Sequence, residues 1–246
     1  MRNADLREIR ALSLFRDMDE DHFARLMRGA YHHSFPPQMT LIEEGRPADF
    51  LHIVTDGAVE LFAGWNGRET TMAVVRPVSA FILAACINDA PYLMSARTLV
   101  GSRIVMIPGT DIRDSFANDA GFAQAIVREL ARYYRSVVRH TKDLKLRSSK
   151  ERLAAYLLKH SRNVEAPEFD LPIEKRLLAS YLGMTPENLS RALKGLRDDG
   201  VTVEGHKVRI GDPARLTALA RPTTLIDGPD RSGSVEDGPS PRIAAS

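Results

Sequence analysis

One stretch, Glu174–Leu196 (EKRLLASYLGMTPENLSRALKGL), constrains this chain more than any other. Leu177, Leu178, Tyr181 and Leu182 recur at the spacing of one helical face. Gly183 can take the positive φ that stops a helix. Thr185 can cap a second helix through its hydroxyl, and Pro186 suits the first helical position, where its missing N–H goes unneeded. Leu189, Ala192, Leu193 and Leu196 give that helix a buried side. Glu187, Asn188, Ser190, Arg191 and Lys194 occupy the other. An ordinary helical hairpin would share this division. The next residues along the chain separate the two: Gly200 ends the second helix, and Val201–Ile210 (VTVEGHKVRI) alternates apolar and polar around Gly205, as a β-hairpin does. Two helices and a hairpin make a winged helix-turn-helix. There an apolar back holds the second helix while polar residues of its first two turns reach base edges.

Charge agrees with that reading. The net charge of the chain is only +2, but it is uneven. Residues 145–221 carry 15 basic against 10 acidic side chains, 1–144 carry 17 against 18, and 222–246 carry 2 against 4. The positive excess lies on the segment proposed to approach phosphates, although a solvated charged surface would look similar. A single cysteine, Cys86, excludes an intrachain disulfide framework and an iron–sulfur cluster held by several cysteines of one chain. There is no long apolar run for a membrane span and no charged-then-apolar start, so a cytoplasmic location is expected.

Along the chain, residues 1–30 read as helical, with Leu6, Ile9, Leu12 and Phe15 on one face and Phe23, Leu26 and Met27 on another. From about Tyr31 to Ile107 short strands alternate with turn residues. TLIEEG, FLHIVTDG, AVELFAGW, TTMAVVRP and ARTLVGSRIVMIP form the series, and Asn66-Gly67 is a strong hairpin signal. Residues 111–147 read as one long helix. Phe122, Ile126, Leu130, Tyr133, Val137, Thr141 and Leu144 give a seam of threes and fours, as in a two-helix coiled coil. A helix packed on its own roll would need a similar stripe. Lys150–Arg162 is a further amphipathic helix, Asn163–Pro172 a loop with weak strand character, and Asp212-Pro213 opens a last short helix. Residues 226–246, rich in Gly, Pro, Ser and Asp, are expected to be disordered.

Leu41-Ile42, Gly45, the Leu51–Val54 run and Gly57 resemble the start of the cyclic-nucleotide-binding signature. Arg46, where a small or amide residue is usual, and His52, inside the apolar run, depart from it. A roll of this kind, then a long helix, then a winged helix-turn-helix, resembles the CRP/FNR family of bacterial transcription regulators over roughly residues 5–220. The resemblance implies an α+β fold: a sensor roll over 1–110, a dimerisation helix and hinge over 111–147, a DNA-binding domain over 148–225 and a tail over 226–246. It implies double-stranded palindromic DNA, a second copy of the chain and RNA polymerase as partners, with no membrane.

Within the second helix, Glu187, Ser190 and Arg191 share one side at i, i+3 and i+4. A carboxylate accepts from the cytosine amino group, arginine binds guanine bidentately, and serine takes either polarity. The run E-N-L-S-R resembles the FNR branch, which implies a half-site like TTGAT in an inverted repeat. Thr185, Arg176, Lys194, His206 and Lys207 are candidates for backbone contacts, which position without reading sequence. Lys142, Lys145, Arg147 and Lys150 surround the expected hinge, Asp143–Ser149, and could approach phosphates.

In the segment Phe81–Leu99 the resemblance places Ala84 where a cyclic-nucleotide binder carries glutamate for the ribose, and Met94 where it carries arginine for the phosphate. Neither can bind a hydroxyl or an anion, so cyclic AMP is not expected. Phe81–Ile87 is instead an apolar patch, either plain core or a pocket for an apolar effector with Phe81, Leu83, Cys86 and Met94 in its lining. Its surroundings resemble the haem-dependent gas sensors and nitric-oxide regulators of the family. For haem, His32, His33, His52 and Cys86 are the candidate axial ligands. Two other readings stand beside this one: a family member controlled by its abundance alone, and an enzyme or ligand-storage protein. No nucleophile–base set, HExxH, P-loop or GxGxxG supports the last.

Overall fold

The computed structural model describes residues 3–228. They fall into two compact units, one ending at Tyr134 and the other beginning at Arg135.

The first unit opens with α1 (Asn3–Ala11) and α2 (Glu20–Arg28). Strands β1 (Tyr31–Phe35), β2 (Thr40–Ile42), β3 (Phe50–Asp56), β4 (Val59–Trp65), β5 (Arg68–Val75) and β6 (Ser79–Phe81) follow. Then come α3 (Leu83–Asn88), β7 (Ser95–Thr98), β8 (Ser102–Pro108), α4 (Gly109–Asn118) and the start of α5 (Ala120–Leu146). The strands make two four-stranded antiparallel sheets, ordered β1-β8-β3-β6 and β2-β7-β4-β5. Asn66 and Gly67 both take positive φ, +49° and +73°, as the tight β4–β5 turn requires.

Two cores sit on opposite faces of the first sheet. Val54, Phe81 and Ile104 point between the sheets, onto Ile42, Val59, Leu61, Val75 and Ala96 of the second. Leu51, Ile53, Val105 and Ile107 point the other way, onto Ile9, Phe15, Phe23, Ile112 and Phe122 of the helices. Both faces of β3 and β8 are therefore buried. This is why FLHIVTD and SRIVMIP read as near-continuous apolar runs and not as clean alternation.

The long helix expected over 111–147 is two helices. Asp119 takes an extended conformation (φ −125°, ψ 106°) that ends α4. Its carboxylate accepts from the Phe122 N–H at 2.8 Å, satisfying a donor at the start of α5, and from the Asp19 N–H at 2.8 Å, and it meets His22 Nδ1 at 3.0 Å. An aspartate can break and restart a helix in this way, and a run of helix formers around it hides the event. Burial alone would raise the Asp119 carboxyl pKa. The two N–H groups and the His22 ring outweigh burial and hold it below the usual carboxylate value. A group with a depressed folded pKa contributes stability above its unfolded value and loses it as pH falls through the folded one. The thermal midpoint of the first unit should thus drop as pH falls through and below the usual carboxylate range, and Asp119→Asn should flatten that drop. Parallel slopes for the two proteins in differential scanning fluorimetry would remove Asp119 from the account.

The second unit takes the end of α5 and adds α6 (Ser149–Val164), β9 (Glu168–Asp170), α7 (Lys175–Tyr181) and α8 (Pro186–Gly195). A 3-10 turn (Leu196–Asp199), β10 (Val201–Glu204), β11 (Lys207–Ile210) and α9 (Pro213–Ala220) complete it. A capping box starts α6: Ser148 Oγ accepts from the Glu151 N–H, and the Glu151 carboxylate accepts from the Ser148 N–H. Its apolar residues Leu153, Leu157 and Leu158 are buried with Leu178, Leu182, Leu189, Leu196, Val208 and Leu216. The hairpin β10–β11 gains a third strand from β9, where only weak strand character was expected. Helix α8 stops at Gly195; Gly200, at φ +80°, ends the 3-10 turn instead. The expected disordered tail lies outside the described residues except for 226–228, where Asp227 is held in an ion pair with Arg147.

Candidate nucleic-acid interface

The turn between α7 and α8 is closed by backbone bonds. Gly183 N–H donates to Ser180 O and Met184 N–H to Ala179 O, both at 2.9 Å, and Gly183 sits at φ +62°. This is the paired 5→2 and 6→1 pattern of a glycine-ended helix. Thr185 then caps α8, its hydroxyl accepting from the Asn188 N–H at 3.2 Å, with Pro186 at the first helical position. Leu189 and Ala192 are buried beneath the helix. Glu187, Ser190, Arg191 and Lys194 are exposed on the opposite side, together with Asn188 and Arg197. The Glu187 carboxylate lies over the start of α8. Its own backbone N–H and the Thr185 hydroxyl hold it below the usual carboxylate range. It is therefore an ionised acceptor at neutral pH, as reading a cytosine amino group requires.

The candidate backbone contacts differ in availability. Arg176 on α7, Lys194 on α8 and His206 at the hairpin turn are exposed. Lys207 lies 3.2 Å from Glu168, which also binds Arg209 at 2.8 Å. Exposed pairs of this kind contribute little and yield readily to a phosphate. Of the four basic residues around the junction Lys145 is exposed, but Lys150 and Arg147 are less available. Lys150 pairs with Asp199 at 2.6 Å, and Arg147 is enclosed by two carboxylates.

Residues 151–219 match the Crp-like helix-turn-helix domain, and residues 32–119 match the cyclic nucleotide-binding domain. The chain is 26% identical over 217 residues to the CRP-like cAMP-activated global transcriptional regulator of Mycobacterium tuberculosis, covering 85% of this chain and 96% of that protein. It is 26% identical over 222 residues to the transcriptional activator protein FnrL of Cereibacter sphaeroides, covering 80% and 84%. The solved structure of FixK2 from Bradyrhizobium japonicum shares the fold, with a TM-score of 0.65 at 24% identity over 77% of this chain and 96% of that one. This chain belongs to the CRP/FNR family of transcription regulators. It joins a cyclic-nucleotide-binding-type roll to a DNA-binding winged helix-turn-helix, and its relatives are regulators rather than enzymes.

In the roll of this regulator the expected effector residues do not converge. Phe81 and Met94 belong to the core between the sheets, whereas Leu83 and Cys86 belong to the core under the helices. The patch is plain core, divided between two faces by the turn from β6 into α3. Ala84 is exposed. Arg97, the next cation along the chain after Met94, is engaged elsewhere. It donates to Glu60 at 2.7 Å and to Glu69 at 3.1 Å, and it lies 4.1 Å over the Phe62 ring. Thr71 completes this network by donating to Glu60 at 2.7 Å.

The four haem-ligand candidates are likewise apart. His32 lies 3.6 Å from the buried Asp5 carboxylate, and His33 is exposed on β1. Cys86 is in the helix-side core, its thiol pushed up to about 11 chiefly by burial. His52 alone faces the interior between the sheets. Its ring centroid lies 5.4 Å from Phe81, 6.4 Å from Phe50 and 6.5 Å from Tyr92. Burial drives its pKa down to about 4, so it is neutral, and Nδ1 has no well-aligned hydrogen bond. Three rings crowd the one histidine in the right compartment. These residues do not fit a haem.

The first half of the expected dimer seam is buried against the chain's own helix-side core. Phe122 and Ile126 are fully buried in the helix-side core, where Phe122 stacks on Phe15 at 5.7 Å. The Tyr133 hydroxyl donates to Ala80 O at 3.0 Å, and Leu130 packs partly on the same core. Val127, Tyr134 and Val137 are exposed, at 60%, 71% and 63%, and so is Leu144, at 37%. The exposed series Val127, Tyr134, Val137, Thr141 and Leu144 is spaced 7, 3, 4 and 3, with Val127 and Tyr134 each one residue after Ile126 and Tyr133. The helix carries two adjacent apolar stripes, and spacing alone does not say which meets its own roll.

Proposed function

We propose that this regulator is a homodimer that reads an inverted TTGAT-like repeat through Glu187, Ser190 and Arg191. The observation that carries the reading is their shared exposure on the face of α8 opposite the buried Leu189 and Ala192. Two such helices related by a two-fold axis require a palindromic site. Arg176, Lys194, His206 and Lys207 supply the phosphate contacts, and the outward stripe Val127–Leu144 of α5 supplies the second copy. RNA polymerase is the further partner that this role implies.

Fluorescence anisotropy on the inverted TTGAT repeat and on a scrambled duplex at one salt concentration tests this. Specific binding should exceed non-specific by about a thousandfold or more. Equal affinity for both duplexes would end the base-reading assignment.

Neither cyclic AMP nor haem is the effector in this proposal. With Met94 at the phosphate position and Arg97 held by Glu60 and Glu69, the roll offers a cyclic phosphate no free cation there. The alternative readings are a small apolar effector and control by abundance alone. Protein expressed with added haem should show no Soret absorption after purification. A stoichiometric Soret band that shifts with nitric oxide would overturn the exclusion of haem.

A further inference from the structure

Arg147 stands at the junction between α5 and α6, and its side chain is 8% exposed. Nη1 donates to Asp143 at 2.8 Å and to Asp227 Oδ1 at 2.7 Å, and Nη2 donates to Asp227 Oδ2 at 2.7 Å. The contact with Asp227 is thus bidentate, the strongest geometry a guanidinium and a carboxylate can adopt. Asp227 belongs to the turn that follows α9. Its Oδ2 also accepts from the Thr223 N–H at 2.8 Å, and the Thr223 carbonyl accepts from the N–H groups of Ile226 and Asp227. The turn is closed around the carboxylate it presents. Burial opposes ionisation of Asp227, but Arg147 and the Thr223 N–H outweigh it and hold its pKa low.

A second guanidinium continues the path. Arg152, also nearly enclosed, donates from Nη1 to the carbonyl of Arg147 itself at 2.7 Å. From Nε it donates to Leu182 O at 3.0 Å, and from Nη2 more distantly to Gly183 O at 3.4 Å. Leu182 and Gly183 form the turn into α8. Gly183 is also so close to Leu144 that an added Cβ would lie 2.7 Å from Leu144 Cδ2. The last turn of α5, the helix-turn-helix turn and the C-terminal turn are therefore joined through two arginines. Expected as a hinge beside phosphates, this junction is bound into the DNA-binding unit.

We propose that Asp227 is a positioning residue of the DNA reader: by fixing Arg147 it fixes the carbonyl that Arg152 grips, and so the angle at which α8 meets a base edge. This rests on the reading of α8 proposed above. Asp227 itself touches no DNA. Its effect is on discrimination between sites, not on the phosphate contacts, because Arg176, Lys194 and His206 keep their exposure whatever holds the junction.

The test uses the full chain, with Asp227→Asn, Asp227→Glu and Arg147→Lys beside the wild type. Affinity is measured on the inverted repeat and on the same repeat with one base pair changed in each half, and thermal midpoints are recorded. Asp227→Asn should stay folded at the assay temperature and lose about tenfold of the ratio between the two sites. Asp227→Glu should recover most of that ratio. Arg147→Lys keeps the charge but not the fork, so it should fall with Asp227→Asn and serves where the asparagine variant does not fold. A wild-type ratio in Asp227→Asn and Arg147→Lys, even with a lowered thermal midpoint, makes the clasp merely structural and overturns the proposal. A wild type that binds both sites alike instead overturns the reading of α8, and the proposal with it.

Discussion

Phe122→Ala is expected to destabilise the sensor unit by about 3–5 kcal/mol and to leave the dimer assembled. Tyr134→Glu is expected to do the reverse. Phe122 is fully buried and stacked on Phe15, so its truncation removes a large apolar side chain and leaves a cavity that neighbours such as Ile9, Ile112 and Ile126 cannot fill. Tyr134 is 71% exposed on the outward stripe of α5. Substitutions at such a site change folding stability by only about 0.5 kcal/mol. Across a two-fold seam, however, the glutamate meets its own copy, and like charges facing each other at an interface cost several kcal/mol. The dimer dissociation constant should rise about a hundredfold or more, and affinity for the palindrome should fall with it. Sedimentation velocity and thermal melts on the two variants separate the effects. A folded, monomeric Phe122→Ala together with a dimeric Tyr134→Glu would place the seam on the wrong face of α5.

That one-residue error of phase shows where the sequence stops being informative. The roll and the winged helix-turn-helix were legible because each carries punctuation with a single physical meaning. Asn66-Gly67 can only turn tightly, and Gly183-x-Thr185-Pro186 ends one helix and starts another. Helix α5 carries no such mark. Phe122, Ile126 and Tyr133 on one stripe and Val127, Tyr134 and Val137 on the next are all apolar, and the choice between them depends on where the roll lies. The break at Asp119 was hidden for a related reason. An aspartate mid-helix is common enough, and only the Asp19 N–H and His22, about a hundred residues away in sequence, show that its carboxylate works as a cap.

The sensor site was not legible because an apolar run has no sidedness. Phe81, Leu83, Cys86 and Met94 look like one lining, but Leu83 and Cys86 on α3 join the helix-side core, whereas Phe81 on β6 and Met94 before β7 join the core between the sheets. The clasp of Arg147, Arg152 and Asp227 at the junction was not legible for the opposite reason. Arg152 binds carbonyls, which every residue has, and Asp227 lies in a stretch whose composition says only tail. The one available hint was Arg152 itself, a charged residue among Leu153, Ala154 and Leu157 on a face that otherwise reads as core.

Arg191→Ala should abolish most of the preference for the inverted repeat while leaving affinity for unrelated DNA nearly unchanged. One bidentate guanine contact carries about 1–3 kcal/mol of discrimination. The dimer makes it twice, so about 2–6 kcal/mol is at stake, a factor between roughly thirty and several ten-thousandfold. The effect should be confined to the base pair that Arg191 faces. With that pair already substituted in both half-sites, wild type and variant should bind alike. Arg191→Lys is the informative companion, since it keeps the charge but loses the planar fork. If Arg191 only met phosphate, lysine would restore binding, and the variant would weaken every duplex equally. It would also lower the dependence of affinity on salt, the behaviour expected of Lys194→Ala. A position-specific loss that lysine fails to rescue is what base reading demands, because only the guanidinium presents two parallel donors to a guanine edge.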